Sequence, residues 1–143
     1  ITLFFITTLG CSDNKTDFEK YNKLEHKAML QFKNKEFEKA LSSFEKAIDL
    51  KPKEDVSIYF YAAASALNAD KKEKAKKLLI ASIQNTNAAK DYFLNFDEFN
   101  NFRNEKLFLE IEGDYENHIS KFYTECEFSY SEVSNNHDAL ISV

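Results

Sequence analysis

Glycine and proline are nearly missing from this chain. Its 143 residues include 2 Gly, 1 Pro, 2 Cys and no Trp. Each scarcity excludes something. Gly10 and Gly113 stand at opposite ends of the chain, so no GxGxxG or GxxxxGK[ST] loop can cradle a phosphate. Two cysteines can make neither a four-Cys zinc site nor a disulfide-dense scaffold. Hairpin-rich β folds need turn residues about every 8 to 12 positions, and this chain does not supply them. What it does supply is Lys, Glu, Asn, Leu, Ala and Phe, a mixture that favours helices. Apolar residues make up 43% and charged residues 30%, the balance of a globular chain rather than a disordered one. The length fits a single domain.

Charge is unevenly placed. Residues 11–96 carry 16 basic and 13 acidic side chains, a balance of +3. Residues 97–143 carry 3 basic and 11 acidic, a balance of −8. A mildly basic body beside an acidic end argues against nucleic acid, which needs a basic stripe. The acidic end is expected either to fold back on the basic body or to keep the surface solvated, with solvation favoured.

The first nine residues, ITLFFITTL, carry no charge. Such a run is too short to span a bilayer, which takes about 20 apolar residues. It does match the apolar core of a secretory signal. No Met and no basic segment precede it, so the expected signal is N-terminally incomplete. Thr8-Leu9-Gly10-Cys11-Ser12 then resembles a bacterial lipobox, in which a small residue precedes a Cys that becomes the lipidated N-terminus. Gly10 and Cys11 fit that pattern and Thr8 departs from it. The resemblance implies a signal peptide over 1–10 and a lipid anchor on Cys11.

A repeat occupies the middle of the chain. Ala40, Phe44, Ala47 and Ile48 fall at i, i+4, i+7 and i+8, one apolar stripe of an α-helix. Their small members let a neighbouring helix approach closely. Pro52 closes the segment, because the residue before a proline is pushed out of the α region. Thirty-five residues on, Ala75, Leu79, Ser82 and Ile83 repeat the order small, large, small, aliphatic. Upstream, Leu24, Ala28, Leu30 and Phe32 precede the first stripe; Tyr59, Ala63, Ala66 and Leu67 precede the second. Asn34-Lys35 and Asn68-Ala69-Asp70 mark the turns. The pattern predicts two antiparallel helical hairpins, with helices near 17–33, 36–50, 55–68 and 71–84.

Residues 21–84 resemble tetratricopeptide repeats, whose period is about 34 residues. The likeness rests on Ala28, Phe37, Ala40, Phe44, Ala47 and Pro52 in the first unit and on Tyr59, Ala63, Ala75 and Leu79 in the second. In the second unit Ser82 stands where Ala is usual, no proline follows and the spacing is one residue long. Asp91-Tyr92-Phe93-Leu94 and the stretch from Asp97 to Phe108 are similar to a module that often closes such arrays. A repeat array exposes an apolar helix face at its end and needs a cap. Phe93, Phe96, Phe99, Phe102, Leu107 and Phe108 are the expected covering residues. Asp97 is the expected N-cap of a short helix over 98–103. Gly113 marks a break, and Asp114 is expected to cap a helix from Tyr115 to about Phe128, with Ile119, Phe122 and Tyr123 on one face. The expected organisation is thus an all-α, short α-solenoid over 17–128 with a C-terminal helical cap, followed by a flexible tail over 129–143.

The resemblance implies a concave groove formed by the inner helix of each hairpin. Its expected lining is Asn22, Glu25, His26, Met29 and Lys33 from the first inner helix, and Phe60, Tyr61, Ala64 and Asn68 from the second. The family's carboxylate clamp for chaperone tails needs Lys and Asn at places that Glu25 and Met29 occupy here, which disfavours such tails. Met29, Phe60 and Tyr61 instead suggest an aromatic and apolar peptide groove, unless Phe60 and Tyr61 pack against the closing module.

Chemistry-bearing patterns are sparse. Cys126 follows His118 by eight residues, about 12 Å along a helix, too far for a nucleophile and its base on one helix. A small hydrolase or carbohydrate-processing accessory built on that pair is the alternative reading. Glu25-His26, His118 and His137 have no metal-ligand spacing, and adjacent helical residues diverge by about 100°. Glu36/Glu38 and Glu110/Glu112 read as solvated faces rather than acid/base pairs. The expectation is a non-enzymatic adaptor with no cofactor and no metal, lipid-anchored in the outer membrane or envelope of a bacterium, binding a protein or peptide partner and no nucleic acid.

Overall fold

A computed structural model describes residues 13–50 and 55–124. The expectations for the signal segment 1–10, Cys11, Pro52, Cys126, His137 and the tail 129–143 lie outside the described residues. Within them the chain is all-helical, with no strand. The helices are α1 (Asp13–Lys33), α2 (Phe37–Leu50), α3 (Val56–Asn68), α4 (Lys72–Thr86), α5 (Lys90–Asn95) and α6 (Lys106–Gly113). A 3-10 turn, Asp97–Phe99, lies between α5 and α6. A seventh helix, α7, covers 115–124.

Helices α1, α2 and α4 turn inward most of the residues their apolar spacing selects, except that Leu30 of α1 is exposed. On α1 the residues turned inward are Tyr21, Ala28 and Phe32, with Leu24 packed beside them. On α2 they are Ala40, Leu41, Ser43, Phe44 and Ala47. On α4 they are Ala75, Leu78, Leu79, Ser82 and Ile83. Phe44, Leu79 and Ile83 are fully buried, each worth about 1.5–3 kcal/mol relative to exposure. Ala40, Ala47, Ala75 and Ser82 are equally covered, and their small size lets the helix axes approach. Consecutive helices pack against one another from α1 to α4, and α3 also touches α1 and the 3-10 turn. Between Ile58 and Leu67 every residue of α3 except Tyr61 is buried, so this helix is covered on nearly all sides.

Both hairpins turn in the same way. After α1, Lys35 adopts φ 60, its N–H reaches the Phe32 carbonyl at 2.9 Å, and the Glu36 N–H reaches Gln31 at 2.8 Å. After α3, Asp70 adopts φ 57, its N–H reaches Leu67 at 3.0 Å, and the Lys71 N–H reaches Ala66 at 2.8 Å. This is the Schellman closure, which satisfies the last carbonyls of a helix and usually places glycine at the left-handed residue. In a chain so poor in glycine, a lysine and an aspartate take that position.

Asp55 starts α3. Its carboxylate accepts from the Ser57 N–H at 2.9 Å and from the Ser57 hydroxyl at 2.6 Å. The Tyr21 hydroxyl donates to the same carboxylate at 2.8 Å and so ties α1 to the start of α3. Burial pushes the Asp55 pKa up, but hydrogen bonds from Ser57, Tyr21 and the Ile58 backbone outweigh it and leave the group below its ordinary value.

The region after α5 corrects one expectation. Asp97 caps no helix over 98–103. The chain instead makes successive tight turns, with Phe99 N–H to Phe96 at 3.0 Å, Phe102 to Phe99 at 2.8 Å and Glu105 to Phe102 at 2.9 Å. The reason lies in the aromatic spacing. Three-residue turns eclipse i and i+3, whereas an α-helix offsets them by about 60° around its axis. Phe96 and Phe99 are therefore both buried, and Phe102 is half-buried. Arg103 closes the segment through Nη2 to the Phe96 carbonyl at 2.9 Å and Nε to Asn100 Oδ1 at 3.0 Å. Lys72–Glu105 at 2.9 Å and Lys76–Glu110 at 2.6 Å join α4 to α6. These exposed pairs orient the contact and contribute little to stability.

Gly113 is the last residue of α6, and the break falls at Asp114. The Asp114 carbonyl accepts from the Asn117 and His118 N–H groups as α7 begins, and its side chain takes the Asn117 side-chain amide. Ile119 on α7 turns inward and Phe122 is half-buried, while Tyr123 stays exposed. The Tyr115 hydroxyl donates to the Ala88 carbonyl and fastens α7 to the α4–α5 connection.

Candidate functional site

The α1–α2 hairpin, α3 and the 3-10 turn enclose a pocket of about 280 Å³. Met29, Phe32 and Lys33 of α1 form one wall, and Lys35 and Phe37 form its upper end. Tyr61 and Asn68 of α3 form the second wall, with Glu98 of the 3-10 turn at the far rim. The floor is aromatic. Phe32 meets Phe37 edge-on at 5.5 Å and Tyr61 edge-on at 5.4 Å. Tyr61 in turn stacks on Phe44 at 6.1 Å and meets Phe96 edge-on at 5.1 Å. Such ring contacts hold Tyr61 in one orientation while leaving part of it at the surface.

The polar groups sit around this floor. Asn68 Nδ2 donates to the Ala64 carbonyl of its own helix at 2.8 Å. Burial, followed by the charge of Glu98, raises the Tyr61 pKa, so the phenol stays neutral at physiological pH. Lys33 and Lys35 are exposed.

Four of the nine expected groove residues therefore meet at one place: Met29, Lys33, Tyr61 and Asn68. The other five do not line it. Asn22 and His26 are exposed nearer the start of α1. Glu25 is half-buried, and burial with the nearby Asp55 charge raises its pKa. Phe60 and Ala64 have no exposure at all. Phe60 is covered by Tyr92 at 5.2 Å, Phe93 at 6.3 Å, Phe96 at 5.2 Å and Phe99 at 5.4 Å. Its ring belongs to the interface between α3 and the segments that follow α4, which is why it cannot line a groove. Sequence reasoning did not assign Phe32, Phe37, Lys35 and Glu98 to the site. Phe32 and Phe37 were visible as stripe and repeat residues; Lys35 and Glu98 carried no signal.

Other concavities differ in chemistry. One between α4 and α6, about 450 Å³, is lined by Lys72, Lys76, Glu105 and Glu110, which pair among themselves. Another, about 320 Å³, lies between α2 and α4 around Ile48, Tyr59 and Leu78. On α7, His118 Nε2 lies 3.6 Å from Asp114 Oδ2. Among the described residues no group of three His, Cys, Asp or Glu side chains could hold a metal ion, and no helix is long and apolar enough to cross a membrane.

Among the described residues the class is all-helical, with α1 to α4 packed in succession and an aromatic-floored pocket at the first hairpin. No protein-family model, curated protein or solved structure shows a significant match to the chain.

Proposed function

We propose that this chain is a tetratricopeptide-type interaction protein that holds a protein partner at the α1–α3 pocket and catalyses no reaction. We further propose that it is exported and lipid-anchored through Cys11 to a bacterial envelope. The observation that carries the binding reading is the meeting of Met29, Lys33, Tyr61 and Asn68, from two helices, around one aromatic floor. The repeated Schellman turns at Lys35 and Asp70 support the repeat reading, because they recur at the spacing of the Ala40 and Ala75 stripes. The apolar run before Gly10-Cys11 supports the anchor.

Site-specific photo-crosslinking in cells tests the binding reading. A photoreactive residue at position 33 is expected to give a discrete protein adduct, and one at position 77, beside the α2–α4 concavity, is not. Adducts of equal yield from both positions, or from neither, would overturn it. For the anchor, Cys11→Ser is expected to move the protein from the membrane fraction to the soluble fraction. A variant that stays with membranes would end that part of the proposal.

A further inference from the structure

The pocket's size and charge indicate the kind of segment it takes. At about 280 Å³ it falls just under the roughly 300–1,000 Å³ of sites that enclose a small molecule, and it suits one large side chain. Its apolar lining of Met29, Phe32, Phe37 and Tyr61 offers that side chain an edge-rich surface. The rim is electrically lopsided. Neighbouring lysines are neutralised: Lys39 by Glu36 at 2.7 Å and Lys71 by Glu38 at 2.9 Å. Lys33 and Lys35 line the pocket and have no carboxylate within ion-pair distance among the described residues. Lys35 sits at the turn with a left-handed backbone, beside the pocket it lines. Glu98, on the far rim, repels any acid from that side.

We infer that the occupant is a partner peptide in which a large aromatic or aliphatic residue fills the pocket while an adjacent Asp or Glu meets Lys33 and Lys35. The inference rests on the reading of this pocket as a protein-binding site. Glu98 sets the direction: the acidic neighbour lies on the α1 side, and a neutral or basic one faces the 3-10 turn. A polyanion such as nucleic acid does not suit the rim, because Glu36, Glu38 and Glu98 interrupt the positive surface.

Selection of a phage-displayed random 12-residue peptide library on the whole protein tests this. Enriched peptides are expected to pair a Phe, Tyr, Leu or Met with an adjoining acid. Selection on a Lys33→Glu/Lys35→Glu variant is expected to replace that acid by Lys or Arg. An enriched acidic peptide, resynthesised, is expected to bind this variant about tenfold more weakly and to lose affinity as salt rises. Both lysines are exposed, so the variant keeps its helical circular dichroism, and Lys77→Glu serves as a distant control that leaves binding unchanged. Peptides that shift the Met29 and Tyr61 resonances without any acidic preference would overturn this inference alone. Selected peptides that bind elsewhere, or a library that enriches nothing, would overturn the binding reading with it.

Discussion

Replacing Phe60 by Ala separates a packing role from a binding one. The ring has no exposure and sits 5.2–6.3 Å from four other aromatic rings, so truncation leaves a cavity that they cannot easily fill. Phe→Ala substitutions in cores cost about 3–5 kcal/mol through lost transfer energy and the residual cavity. The full enclosure of Phe60 places it toward the upper part of that range. Against a total stability of about 5–15 kcal/mol for a domain, this is a large fraction. At about 4 °C per kcal/mol for a chain of this size, a loss of about 4–5 kcal/mol lowers the midpoint by about 16–20 °C. Thermal melting followed by far-UV circular dichroism measures the shift, and urea unfolding checks it through the midpoint at constant slope. Asn22→Ala and His26→Ala, at exposed positions on α1, should stay within about 0.5 kcal/mol of the parent. A Phe60→Ala loss no larger than theirs would refute the placement of this ring in the core.

Other outcomes follow from the turns and the titratable groups. Lys35→Gly should raise stability by about 1 kcal/mol, since a left-handed L-residue costs about 1–2 kcal/mol and glycine returns part of that gain as unfolded-chain entropy; a lower melting midpoint would contradict this. Gly113→Ala should stabilise by about 0.5–1 kcal/mol, because no atom lies within 4 Å of the added Cβ and the position is helical; urea unfolding decides it. Alkali should destabilise the fold between pH about 10 and 12. Burial, followed by the Glu116 charge, pushes the Tyr115 phenol up to about 12, so its contribution is complete below its unfolded value near 10 and is lost as pH rises through 12. That shift is worth about 2–3 kcal/mol, and Tyr115→Phe should flatten the stability–pH slope over that range. The slope should not vanish, since burial also raises Tyr59 and Tyr61.

Much of the helical framework was legible because its signals are local. The segment expected over 36–50 appears as Phe37–Leu50, and that over 55–68 as Val56–Asn68. The turns at Asn34-Lys35 and Asp70 carried no glycine, yet their place between two stripes located them. The extra two residues of α4 end at Asn87, an asparagine with φ 52, a stop signal that the apolar spacing alone does not contain. What stayed hidden depends on partners distant in sequence. Phe60 and Tyr61 are adjacent and similar, and only the packing of the aromatics at 92–99 sends one inward and leaves the other at the pocket wall. The three-residue aromatic spacing of Phe96, Phe99 and Phe102 was in plain view; reading it as an α-helix rather than as tight turns misplaced the cap at Asp97. Glu98 became part of the site only because those turns bring it opposite α1.

The enclosure of α3 also bears on how the pocket moves. Amide exchange at a helix touched by α1, α2, α4 and the 3-10 turn requires all of these contacts to loosen, so α3 opens only near the full unfolding free energy. By contrast α1 packs chiefly against α2 and more lightly against α3, so fewer neighbouring elements oppose its opening. Tyr61 and Asn68 therefore belong to the part of the pocket that opens last, whereas Met29 and Lys33 sit on a helix with fewer neighbouring elements.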